Sequence, residues 1–259
     1  MRLLFAISAS FFLVSFCNAS VLKPRATTAV IPPNSFSSST LFSEYWNYNY
    51  PWGDSHNGAA IMDSSHVTLN TGSNSVTLTS VYTTGLGTVT SGGSTIQLHY
   101  KSGTIYAKPT FTVAAGGGYD ISASFIAPTI KGTWPAFWLT AVSGWPPEID
   151  IAEWKGDGLI SFNTFNTSTV VKADDVAYPN PSSTHTVKAE VRAESDGSTV
   201  KVNFYLDGVL QTTQFGADYI GKAMYLIVDF QMEGSSGSPG PTGNTTYTIS
   251  DVSAISYNP

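Results

Sequence analysis

Apolar residues in this chain recur at every second position, in short runs set off by turn residues. Tyr119, Ile121, Ala123 and Phe125 alternate with Asp120, Ser122 and Ser124. Val187, Ala189 and Val191 alternate with Lys188, Glu190 and Arg192, and Val200, Val202, Phe204 and Leu206 with Lys201, Asn203 and Tyr205. Side chains of a strand point to opposite faces in turn, so each run reads as a strand with one buried face. Asp207-Gly208 between two apolar runs marks a hairpin, and Asp196-Gly197 a second turn. Tyr247 to Tyr257 alternates as well and closes a sheet. No stretch carries a helical period over normal helix length. Many short strands with regular turns give an all-β sandwich or barrel.

One run breaks the pattern. Glu148-Ile149-Asp150-Ile151-Ala152-Glu153 places three carboxylates in an otherwise apolar segment. A buried carboxylate shifts its pKa or finds a partner, so a strand carrying three of them uses them. In a regular strand Glu148 and Asp150 share a face, while Glu153, at an odd offset, faces away. One extra residue restores the parity. A β-bulge near Ile151-Ala152 is therefore predicted, with all three acids on one face. At ~3.3 Å per residue the two Glu backbones stand about 13 Å apart. Long side chains leaning inward close that gap toward the ~5–5.5 Å of a retaining glycosidase pair.

Trp134-Pro135-Ala136-Phe137-Trp138-Leu139, Trp145-Pro146 and then Glu148 to Glu153 resemble the signature of glycoside hydrolase family 16, in its bulged, laminarinase-like form. Weaker likeness runs from Tyr100-Lys101-Ser102-Gly103 to the C-terminal strand. The resemblance implies a β-jelly-roll sandwich of two curved antiparallel sheets, of the concanavalin A-like lectin/glucanase type. It implies Glu148 as nucleophile, Glu153 as general acid/base and Asp150 as the neighbour that tunes them. That role requires Glu153 to start protonated near working pH, favoured by the charge of Glu148 and Asp150. The substrate would be a β-1,3-linked polysaccharide cut internally by double displacement. Trp138 and Trp145, and Trp134 beside them, are candidate sugar platforms, and Asn163 a candidate hydroxyl ligand. Trp154 is a weaker platform candidate.

Two departures matter. Laminarinase-like members usually carry a His on the strand after the acids, where Leu159 to Asn166 offers Asn163 and Asn166. Members that cut β-1,3-glucan tend to have a late Gly-Gly-x-Trp, and Met232 to Pro241 has no Trp. A reshaped groove leaves room for β-1,3-galactan beside β-1,3- or β-1,3/1,4-glucan, and fungal members include endo-β-1,3-galactanases. A wall transglycosylase shares the same acids. A carbohydrate-binding module on the same fold needs no matched acid pair. A polysaccharide lyase wants a Tyr or His base and basic residues against uronates, which an acidic groove repels.

The N-terminus reads as a secretory signal: Arg2, an apolar Leu3 to Phe16 too short to span a membrane, and cleavage after Ala19. Residues 20–45 are then an extended leader or short pro-segment, with Val21 to Arg25 open between the two, and 46–259 one catalytic domain. Cys17, the only cysteine, leaves with the signal, so no disulfide is expected. A formal net charge of −6 gives no nucleic-acid footprint, and no hydrophobic tail suggests an anchor. The expected product is secreted and monomeric, with a polysaccharide as its partner. Asn166-Thr167-Ser168 and Asn244-Thr245-Thr246 are N-glycosylation acceptors. His56, His66, His99 and His185 show no metal-ligand spacing and are assigned no role. The chemistry requires no cofactor. Some family members hold a structural calcium, but nothing in this sequence resembles a calcium loop.

Overall fold

The computed structural model describes residues 27–259, and the expected signal segment, Cys17 and Val21 to Arg25 lie outside them. Two large sheets carry the fold. One runs in the order Val209–Gly216, Val200–Leu206, His185–Ala193, Gly118–Ile126, Thr245–Ser256, Ser75–Tyr82, Tyr100–Ser102, Ala60–Met62. The other runs Val170–Ala177, Leu159–Thr167, Glu148–Glu153, Thr133–Ala141, Ala223–Met232, Thr104–Ala107, Trp46–Tyr48. Neighbours are antiparallel except Ala60–Met62, which runs parallel to Tyr100–Ser102.

The alternating runs form the strands they predict. Tyr119, Ile121, Ala123 and Phe125 are buried, as are Val187, Ala189, Val191 and the Val200 to Leu206 series. Asp207 and Gly208 both take positive φ, 51° and 77°, and close a two-residue hairpin in which Leu206 faces Val209. That geometry suits the right-handed twist of the flanking strands. Between the sheets, the ring of Phe125 lies 5.4 Å from Phe137, 5.5 Å from Trp154 and 5.4 Å from Tyr247. This aromatic cluster packs against the underside of the strand that bears the three acids. Trp154 is wholly buried there, which removes it as a sugar platform.

The leader expectation needs correction over its described part. Thr28–Ile31 adds to Thr245–Ser256 as a further strand. Ser39–Tyr45 forms a short helix, capped by Ser38, whose Oγ accepts from the Leu41 N–H at 3.1 Å. Phe36 and Phe42 are buried in the main core, and the ring of Phe36 lies 5.2 Å from Trp46. The Ser/Thr/Pro composition hid these two aromatic anchors. A separate hairpin, Thr88–Ser91 with Ser94–Gln97, turns through Gly92 and Gly93 and belongs to neither large sheet.

Candidate active site

The acids lie on a central strand of the second sheet, and its register shows the bulge. Ala136 pairs with Glu153 and Phe137 with Ala152, but Trp138 pairs with Asp150, leaving Ile151 as the extra residue. The same shift appears against the other neighbour, where Asp150 faces Asn163 and Glu153 faces Ser161. Ile149, Ile151 and Ala152 are buried toward the core. Glu148, Asp150 and Glu153 line a cleft together with Trp134, Ala136, Trp138, Asp229, Gln231, His56 and Asn57.

Each acid has its own set of donors. Glu148 Oε2 accepts from Trp145 Nε1–H at 2.9 Å and from the Thr140 hydroxyl at 3.3 Å. Glu153 Oε1 accepts from Trp134 Nε1–H at 2.6 Å. Its Oε2 accepts from the Asn163 amide at 2.8 Å and pairs with Lys155 Nζ at 3.0 Å. Asp150 Oδ2 accepts from the same Asn163 amide at 2.9 Å. Asn163 thus bridges two carboxylates with its two N–H groups, while its buried Oδ1 meets no partner among the described residues.

Burial, against the Trp145 and Thr140 donors, pushes Glu148 up to about 7. Asp150 is raised as well, first by burial and then by the charge of Glu148 and Glu153. Carboxylates this close in an apolar floor cannot all ionise, and the cluster retains a proton at neutral pH. A pair of Glu side chains on one face, lining one cleft, is equipped for acid/base and nucleophilic chemistry on an acetal.

A second acid row crosses the sheet. Ala136 pairs with Glu153 on one side and with Asp229 on the other, so the small Ala136 side chain separates two acids. Asp229 is buried and pushed up to about 7 by desolvation. It accepts from Trp138 Nε1–H at 2.8 Å and from the Tyr50 hydroxyl at 2.8 Å.

Trp145 stands at the cleft rim 48% exposed, edge-on to Phe165 at 4.9 Å. Trp134 is partly buried against Glu153. Trp138 is only 5% exposed, and His56 stacks over it at 5.3 Å and 26°. It forms the cleft floor rather than an open platform. The open indole beside Trp145 is Trp52, 45% exposed. Trp52, Trp145, Phe165, Thr140 and Glu148 bound a second cavity of about 490 Å³, which His56 and Asn57 join to the first, of about 90 Å³.

Of the glycosylation candidates, Asn244 is exposed in the loop before the last strand. Asn166 is half-buried, its Oδ1 taken by the Ala217 N–H at 3.2 Å. Among the described residues no group of three or more His, Cys, Asp or Glu side chains is placed to hold a metal ion.

Over 224 residues the chain is 52% identical to a galactan endo-β-1,3-galactanase of Flammulina velutipes, covering 86% of this chain and 88% of that one. The chain belongs to glycoside hydrolase family 16. The fold agrees. The structure superposes on an endo-1,3-β-glucanase of Streptomyces sioyaensis with a TM-score of 0.65 at 21% identity, over 84% of this chain and 91% of that one. It superposes on a non-specific endo-β-1,3(4)-glucanase from family GH16 with a TM-score of 0.66 at 17% identity, over 89% and 91% of the two chains. No protein-family model matches the chain.

Sequence reasoning passed over Asp229, Gln231, Lys155, Trp52, Phe165 and His56. Asp229 had a signal of the same kind as the acidic strand, a lone acid in the apolar run Leu226 to Met232. Trp52 and His56 lie in a loop and carried none.

Proposed function

We propose that this glycoside hydrolase is a secreted, retaining endo-β-1,3-galactanase. The observation that carries the reading is the bulged strand, which turns Glu148 and Glu153 to the same cleft, each held by its own indole N–H. The activity borne by the Flammulina velutipes relative supports galactan as the backbone. The missing late Trp and the Asn in place of His fit a groove other than that of a glucanase.

In the first step ionised Glu148 attacks the anomeric carbon, while Glu153 gives its proton to the departing oxygen. Indole N–H groups fix both carboxylates, so neither has to find its rotamer at the moment of reaction. Ester formation removes the charge of Glu148. Glu153 then takes a proton from water, which hydrolyses the ester. Asp150, buried and joined to Glu153 through Asn163, damps the change in charge. Trp145 and Trp52 offer apolar faces to the sugars, while Asn163, buried and absent from the cleft lining, acts through its amide on Asp150 and Glu153 instead of as the hydroxyl ligand expected of it. The apolar N-terminus with Arg2 supports secretion, and the exposed Asn244 supports glycosylation there.

A reducing-sugar assay on de-branched β-1,3-galactan, laminarin, mixed-linkage β-glucan and agarose, with E148Q as blank, tests the reading. Activity on galactan that is lost in E148Q and E153Q, with retained anomeric configuration by NMR, is expected. Full activity in E148Q would sink it. Products longer than the substrate would instead mark a transglycosylase.

A further inference from the structure

His56 occupies the junction of the two cavities and lines both, beside Glu148. Its ring is caged by Tyr50 at 5.6 Å, Trp52 at 5.2 Å and Trp138 at 5.3 Å. Its backbone oxygen accepts from Gln231 Nε2 at 2.9 Å. Two residues on, a Cβ on Gly58 would lie 2.4 Å from Gln231 Cγ, so the loop sits directly on that side chain. Burial pushes the imidazole down to about 4, so it is neutral at working pH.

A neutral imidazole donates from one nitrogen only, and its neighbours choose which. The Ser91 hydroxyl accepts the Asn57 N–H at 3.1 Å, so its own hydrogen is free for Asn57 Oδ1, 2.7 Å away. That bond turns the Asn57 amide so that Nδ2 faces His56 Nε2 at 3.2 Å. Nε2 then accepts, and the proton resides on Nδ1. Among the described residues Nδ1 has no partner.

We propose that His56 is a substrate-binding residue that donates from Nδ1–H to a sugar hydroxyl beside the scissile bond, with Asn57 and Ser91 as positioning residues that fix its tautomer. Ser91 belongs to the free-standing hairpin at the Gly92-Gly93 turn, which gives that hairpin a role in the cleft. The inference rests on the hydrolase reading above.

Two measurements test it. Side-chain 15N NMR of the histidines, with His56 assigned through H56F, should show the Nδ1–H form in the wild type. N57D offers Nε2 only an acceptor and should move the proton to Nε2. A purely structural Asn57 would leave the tautomer alone, and the Nε2–H form in the wild type would overturn the relay. In kinetics on the polymer that the wild type cuts, H56F keeps the aromatic stack and should lower kcat/KM about tenfold through KM, the value of one hydrogen bond. S91A, a surface change, should act the same way about threefold, and S91T should restore it. An active wild type with an unchanged H56F refutes the role of His56 alone. A wild type silent on every polymer refutes the hydrolase reading and the substrate role together.

Discussion

Replacing Trp145 by Phe should move the acid limb of the pH–rate profile to higher pH. The indole N–H is the shorter of the two donors to Glu148, at 2.9 Å against 3.3 Å for Thr140. Burial holds Glu148 up to about 7, and these donors oppose it by favouring the carboxylate. W145F retains a ring at the rim and removes only the donor. A hydrogen bond to a charged group is worth roughly 1.5–3 kcal/mol. Trp145 is nearly half exposed, so solvent competes and about half of that remains. At 1.36 kcal/mol per pKa unit the shift is about 0.5 to 1 unit upward. Glu148 must be ionised to attack, so activity rises with pH through this limb. kcat/KM on galactan from pH 4.5 to 8 is the assay. Well below the limb W145F should lose roughly three- to tenfold, with much less loss on the plateau. The limb is a macroscopic value of the carboxylate cluster, and the comparison between variants is what counts. A uniform loss at every pH, or a limb displaced downward, would refute the reasoning and leave Trp145 only a stacking role.

Three further outcomes follow from the same geometry. N163A removes the donors to Asp150 and Glu153 and should lower kcat about 10- to 100-fold with the fold intact by circular dichroism; N163D, which adds a carboxylate, should cost more. F125A opens a hole between Phe137, Trp154 and Tyr247 and should cost about 3–5 kcal/mol in chemical denaturation. Glu148 and Asp229 bind their protons more tightly folded than unfolded, so their stabilisation is present below the ordinary carboxylate range and is lost as pH rises through about 7. The unfolding free energy should therefore rise from pH 8 to pH 5 by up to ~3 kcal/mol per group, with Tm rising in step, and E148Q and D229N should each flatten the slope.

The acidic strand was legible because a strand has a strict period of two. Glu153 falls off that period, and burial of Ile149, Ile151 and Ala152 permits one repair only, the bulge at Ile151. The alternating strands were legible for the same reason. What escaped lies in contacts that no strand period encodes. Phe36 and Phe42 become core residues by meeting Trp46 and Tyr48, which no local period announces. His56 acquires its role from Trp138, Asn57 and a hairpin more than thirty residues away. Trp138 looked like an open platform because its partner strand was unknown. Once Asp229 stands opposite Ala136, the indole N–H has a carboxylate to bond and the ring is drawn down into the floor.

Asp229 also marks how far composition alone can carry such a reading. Like Glu148 it is pushed up to about 7, chiefly by burial, and both lie in apolar strands facing one cleft. Their hydrogen bonds separate them. Both oxygens of Asp229 are engaged, one by Trp138 and one by Tyr50, from segments 91 and 179 residues away. Glu148 has its donors on Oε2 alone, which leaves Oε1 for an anomeric carbon. A carboxylate saturated by protein donors is a poor nucleophile and a good brace. Asp229 thus holds the cleft floor together, and of these two acids only Glu148 keeps an oxygen unclaimed for attack.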